Sequence, residues 1–410
     1  MAATNPVDYA PLLRLLSLAG VVALLPLGWL WLRQRGADTR GRLAALTALT
    51  LFLTFDLLVF GSYTRLTDSG LGCPDWPGCY ATASPLGAKL HIEAAEAARP
   101  DGPVTQAKAW IEMIHRYLAM TVGALIVVLA SASWLGARAG QRPKARAQPG
   151  AATAKRLPIS PWWPTATLAW VIVQGLFGKY TVTLKLYPAI VTLHLLGGLA
   201  LLALLMAQHE GYRQRPLALA PGRRRLALVA FALLWLQLAL GGWVSTNYAV
   251  LACSDFPRCN GAWWPEMDFG AGFTLLRELG RSGDGGFLGL PAMVAIQMAH
   301  RLGAATVFVL LLVLARGLRR EADPAAQRYG ALLALLALAQ VASGLSNVVL
   351  GWPLAAALGH SAGAAALVAV MTSLLARALR SSPGPAMPVV AATGPFPGRS
   401  PAAAAPAVEA

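Results

Sequence analysis

Nine apolar runs, each long enough to cross a bilayer as a helix, occupy most of this chain, at roughly 11 to 32, 43 to 62, 109 to 136, 163 to 181, 188 to 208, 225 to 246, 291 to 315, 329 to 350 and 353 to 376. A backbone in hydrocarbon has no water to bond, so a segment of about 20 apolar residues satisfies its own amides as a helix. Of the 410 residues 56% are hydrophobic and only 13% charged, too little polar surface to enclose a soluble globule. The expected fold class is therefore all-α, a polytopic membrane helical bundle.

A net charge of +16 raises the question of nucleic acid, but the basic residues sit in short loops rather than on one face. They form four clusters: Arg33, Arg35, Arg40 and Arg42; Arg138, Arg142, Lys144, Arg146, Lys155 and Arg156; Arg213, Arg215, Arg223, Arg224 and Arg225; and Arg316, Arg319, Arg320 and Arg328. Threading nine spans puts every cluster on one side, which the positive-inside rule makes cytoplasmic. Membrane lipid, not nucleic acid, is the surrounding these charges fit. The short N-terminus then lies outside and the C-terminus in the cytoplasm. The first run lacks a basic N-terminal flank and is followed by arginines, so it reads as a retained anchor rather than a cleaved signal. From 381 to 410 the chain turns to Pro, Ala, Gly and Ser, a composition expected to stay disordered.

The chain also repeats itself. Aligning 61–79 with 241–259 pairs Gly61 with Gly241, Cys73 with Cys253, Asp75 with Asp255, Pro77 with Pro257 and Cys79 with Cys259. Glu112-Met113-Ile114-His115-Arg116 matches Gln297-Met298-Ala299-His300-Arg301, and Gln174 and Gln340 each stand 20 residues before a histidine, His194 and His360. Three blocks in one order define two related four-helix units preceded by one extra N-terminal helix. An even number of spans per unit gives both the same orientation, related by a pseudo-two-fold axis along the membrane normal.

His115, His194, His300 and His360 thus form two matched pairs, each residue a few positions from the external end of its helix and at roughly 10 Å depth by helical rise. Imidazoles are costly in lipid unless something binds them, and one from each of two facing helices can close both axial positions of a haem iron. Zinc asks for three or four clustered ligands, and a Cys-x-x-Cys-His attachment is absent, so a non-covalent b-type haem fits best. Arg116 and Arg301, next to two of the histidines, are candidates for haem propionates, or else interfacial arginines reaching for the headgroups. Tyr63, Thr64, Arg65, Thr67 and Asp68 form a polar run past a helix end, suited to gripping propionates, shaping a substrate mouth or capping a loop.

The four cysteines form two Cys-x5-Cys pairs in loops placed outside the cytoplasm, where disulfides persist. An intervening proline lets each step fold back, making Cys73–Cys79 and Cys253–Cys259 the natural bonds, structural or redox-active. Between Leu86 and Ala98, apolar residues interleave with Lys89, His91, Glu93 and Glu96, the pattern of an interfacial amphipathic helix. One asymmetry locates chemistry. Glu112 shares a helix face with His115, where the second unit has neutral Gln297. A carboxylate can take a proton or stabilise positive charge beside a porphyrin and a carboxamide cannot, although a carboxylate at a helix mouth can also be merely solvated.

Together these residues resemble the haem A synthase family, carried by Thr64-Arg65-Leu66-Thr67-Asp68-Ser69-Gly70-Leu71-Gly72-Cys73-Pro74-Asp75-Trp76-Pro77, by Glu112-x-x-His115-Arg116, and by His194, His300 and His360, over roughly 43 to 380. The resemblance implies oxidation of the C8 methyl of haem O to the formyl group of haem A, by two hydroxylations with water-derived oxygen and loss of water from a geminal diol. It implies substrate haem O between His115 and His194, a permanent haem b between His300 and His360, and Glu112 as the catalytic residue. An unknown quinone or other acceptor takes the electrons, and the enzyme that makes haem O is a candidate partner. The implied setting is the bacterial inner membrane, with the cysteine loops periplasmic. The family core has eight helices, so the first of the nine is a departure.

The expected organisation is an anchor helix and basic loop (1–42), a first unit that is catalytic (43–210), a second unit that holds haem b (225–380) and a tail (381–410). A di-haem electron-transfer subunit is the rival, and Glu112 against Gln297 tells against it, since a wire needs no carboxylate in one half. A transporter of parallel repeats ranks last, because the polar signal sits at the outer rim and not at the midplane.

Overall fold

The computed structural model describes residues 10–141 and 157–381. Within them run α1 (Ala10–Arg33), α2 (Thr39–Leu66), a short α3 (Lys89–Ala98), α4 (Gln106–Gln141), α5 (Trp162–Thr183), α6 (Pro188–Arg213), α7 (Pro221–Thr246), a 3₁₀ turn (Ala249–Leu251), a one-turn α8 (Phe269–Gly272), α9 (Leu290–Arg319), α10 (Pro324–Val349) and α11 (Leu354–Ala378). All nine expected spans are helical. The predicted tail and much of the second basic cluster lie outside the described residues.

Eight of these helices are long and apolar enough to cross a membrane. The exception is α5, whose Thr165, Thr167, Gln174, Lys179, Thr181 and Thr183 dilute its apolar surface. It is nonetheless a full 22-residue helix packed against α4 and α6. The chain is a multi-pass membrane protein.

Local chemistry sets the helix starts. Asp38 accepts from the amide of Gly41 at 2.8 Å ahead of α2, and Asp323 accepts from Ala325 at 2.8 Å ahead of α10. Proline opens α6, α7, α9 and α10, where its missing N–H costs nothing.

The repeat is visible in the backbone. Left-handed residues recur at matched positions: Asp68 with Tyr248, Tyr80 with Asn260, Ala81 with Gly261, Lys185 with Gly351, and Leu186 with Trp352. In the first unit α2 packs on α4 and α6, and α5 on α4 and α6. In the second, α7 packs on α9 and α11, and α10 on α9 and α11. Across the junction α6 meets α7 while its counterpart α11 meets α2, and α6 meets α11, the reciprocal pattern of a pseudo-two-fold axis.

Helix α1 lies outside this pattern, against α4 and α2. Its Leu15 is fully buried in a cluster with Cys73, Cys79, Ile92 and Met113, so its N-terminal end sits beside the first disulfide loop. The opposite end of the bundle is tied by arginines: Arg40 donates to the carbonyl of Tyr212 at 2.6 Å, Arg377 to that of Arg215 at 2.7 Å, and Arg223 pairs with Glu321.

Candidate functional site

The four histidines project from α4, α6, α9 and α11, and each ring lies over a glycine of a neighbouring helix. A Cβ built on Gly61 or Gly241 would fall 2.8 or 3.0 Å from Cε1 of His115 or His300, and one on Gly178 or Gly344 3.5 or 3.2 Å from Cε1 of His194 or His360. Glycine therefore makes the room in which each imidazole sits. His115 and His194 stand on helices α4 and α6, both packed against α2 and α5, and His300 and His360 on α9 and α11, both packed against α7 and α10. Among the described residues no group of three or more His, Cys, Asp or Glu side chains that could hold a metal ion converges. Buried ring nitrogens over glycine cradles fit an iron porphyrin held from both faces.

Around Glu112 the first unit is more tightly built than its counterpart. The carboxylate is 3% exposed. Its Oε2 accepts from the amide of Cys73 at 2.8 Å, and Oε1 pairs with Arg116. A solvated carboxylate at a helix mouth is thus ruled out. Gly72 makes this approach possible, because a Cβ there would fall 2.5 Å from the backbone of Lys108. The matched loop residue is Ala252, and Gln297 only donates to the carbonyl of Val250 at 3.2 Å.

Arg116 is 8% exposed and also donates to the carbonyls of Asp75 at 3.0 Å, Pro77 at 3.2 Å and Gly78, tying the disulfide loop over the site. Arg301 repeats this with the carbonyls of Arg258 at 2.9 Å and Asp255 at 3.0 Å. Both disulfides, Cys73–Cys79 and Cys253–Cys259, are formed. Asp75 accepts from the amides of Tyr80 and Ala81, each at 2.7 Å, and closes the first ring. Burial, with Asp75 nearby, pushes the Tyr80 phenol up from its ordinary range. The Tyr80 ring stacks on His91 of α3, the short helix expected between Leu86 and Ala98, which buries Ile92 beneath the loop.

Arg65 is engaged between the units. Its guanidinium bonds Asp68 at 3.2 Å and the carbonyl of Ser245 and lies 4.1 Å from the centre of the Tyr248 ring, whose hydroxyl donates to Asp68 at 2.7 Å. Phe60 stacks on His115, 6.5 Å between ring centres, and borders a cavity of about 330 Å³ at the junction of α2 and α11.

Sequence reasoning missed Gln237 and Ser343. The Gln237 carboxamide lies 2.8 Å from Nδ1 of His300, and Ser343 Oγ lies 3.0 Å from Nδ1 of His360. Their signal was available as two polar positions that break the repeat, opposite Leu57 and Phe177.

Comparison with known proteins gives a consistent picture. Residues 44–372 match the family model described as cytochrome oxidase assembly protein. A protein of Shewanella oneidensis named Heme A synthase is 36% identical over 81% of this chain and 96% of its own length. Proteins of the same name from Caulobacter vibrioides, 27% identical over 80% of this chain and 93% of their own, and Halalkalibacterium halodurans, 25% over 74% and 86%, are similar along most of the bundle.

Proposed function

The chain belongs to the cytochrome oxidase assembly protein family, and from that premise we propose that it is a haem A synthase, converting the C8 methyl of haem O to the formyl group of haem A in the first unit. The observation that carries the reading is Glu112: a buried, charge-paired carboxylate one helical turn from His115, with neutral Gln297 at the matched place.

Turning a methyl into a formyl group with oxygen from water releases four electrons and four protons. His115 and His194 hold the substrate iron from either face and so fix the ring edge relative to α4. Glu112 receives protons: an ionised carboxylate has about four acceptor positions, and the bonds from Arg116 and the Cys73 amide leave some of them free. Arg116 supplies the compensating charge and, with the disulfide loop, restricts water at the mouth. His300 and His360 would hold a haem b, which would supply one-electron redox chemistry towards a quinone or other acceptor. Arg65 places positive charge at the rim that propionates would reach, whereas the guanidinium groups of Arg116 and Arg301, also candidates from sequence, are turned to the disulfide-loop carbonyls. The organisation proposed is an anchor (1–42), a catalytic unit (43–210) and a haem b unit (225–380), in the bacterial inner membrane with the disulfide loops periplasmic and the C-terminus cytoplasmic. The enzyme that makes haem O is a candidate docking partner.

The test is haem extraction and chromatography from membranes carrying this chain and a source of haem O, beside Glu112→Gln. Wild type should yield haem A, and the variant should bind haem yet form haem A at least about a hundredfold more slowly. Undiminished haem A from Glu112→Gln would remove Glu112 from the mechanism, and haem b with unconverted haem O in wild type would overturn the reading.

A further inference from the structure

The two histidine pairs differ at the ring nitrogen that faces away from an iron. A histidine ligating through Nε2 carries its proton on Nδ1, and an acceptor for that proton fixes the tautomer, holds the ring and strengthens the ligand. In the second unit Ser343 is placed for this. Its hydroxyl donates to the carbonyl of Ala339 at 2.7 Å, which leaves lone pairs free towards Nδ1 of His360, 3.0 Å away. Gln340 adds a bond from its carboxamide to the carbonyl of His360 at 3.0 Å.

Gln237 braces His300 differently: its carboxamide nitrogen donates to the backbone carbonyl of that residue at 3.0 Å and lies 2.8 Å from Nδ1. The side chain nests over Gly303, where a Cβ would fall 2.4 Å from Oε1.

Of these side chains the first unit keeps only Gln174, the counterpart of Gln340, nested over Gly197. Leu57 stands opposite Gln237, Leu118 opposite Gly303 and Phe177 opposite Ser343. The polar side chain and the notch that admits it are replaced together. Nδ1 of His115 and Nδ1 of His194 are both buried without a hydrogen-bond partner. His115 also adjoins, through Phe60, the cavity at the junction of the units.

We infer that Ser343 is a positioning residue that locks the ring of His360, with Gln237 bracing His300 through its backbone, and that this makes the haem of the second unit resident, while Leu57 and Phe177 leave the first unit's histidines unlocked so that its haem exchanges. This rests on the proposed division into a substrate site and a resident site. An enzyme has to release its product, and ligands without an anchoring bond yield their iron more readily.

The experiment uses the full chain in detergent, loaded with haem b, and follows haem transfer to excess apomyoglobin together with the midpoint potential. A His115→Ala background isolates the second site and a His300→Ala background the first. Ser343→Ala should speed haem loss from the second site by about tenfold and raise its potential, since a less basic ligand favours ferrous iron less weakly; Ser343→Thr should restore both. Phe177→Ser should slow loss from the first site by a similar factor. Unchanged loss and potential in Ser343→Ala would overturn the inference. Should that variant not fold, unchanged loss in Phe177→Ser decides against it equally. Haem A formation by the wild-type preparation is read separately, so failure of the synthase reading leaves the retention result interpretable.

Discussion

Arg116 shows how one side chain joins charge, loop and site. It pairs with Glu112 inside the protein and holds three carbonyls of the disulfide loop, so its removal strands a buried carboxylate and frees the loop at once. Breaking a buried pair from one side costs about 3–5 kcal/mol. Arg116→Ala should accordingly lower the thermal midpoint of the detergent-solubilised protein, measured by fluorescence, far more than Arg301→Ala. The matched Arg301 holds carbonyls but has Gln297, not a carboxylate, one turn away. Equal losses in the two variants would show that loop anchoring and not charge pairing dominates.

At the scale of elements, the first disulfide loop and α4 form one working piece. Gly72 lets the loop backbone press on Lys108 and Ala109, and this contact delivers the Cys73 amide to Glu112. Gly72→Ala should push the loop away and weaken a hydrogen bond to a charged group that is worth about 1.5–3 kcal/mol. Haem A formation should fall by about 10- to 100-fold while haem binding persists. Haem stoichiometry and haem A yield measured on one preparation separate this from general misfolding, since Gly72 does not touch the histidine cradles. The second unit, with Ala252 at the matched place, already tolerates the extra methyl because nothing there depends on so close an approach.

The whole molecule is a pair of bundles with a polar end, where Arg65, Asp68, Ser245 and Tyr248 bridge the units, and an arginine-tied opposite end. With the arginine end in the cytoplasm, all four cysteines face outward. In intact cells a membrane-impermeant thiol reagent should label them only after reduction, and without permeabilisation; labelling that needs permeabilisation would invert the topology. Much of this was legible from residues alone. Apolar length fixed the helices, because lipid leaves the backbone no other way to satisfy itself, and the matched Cys, His and Gln positions fixed the repeat, because two copies share one fold. Glu112 stood out since a carboxylate against a carboxamide is a difference of charge, which composition records. What the tertiary structure decided is which groups meet across helices: that Glu112 is buried against Arg116 and the Cys73 amide, that Arg65 bridges the units, and that Gln237 and Ser343 reach histidines 63 and 17 residues away in sequence. A hydrogen bond depends on distances of a few tenths of an ångström between side chains on different helices, and helical periodicity assigns a face but not the neighbour that fills it.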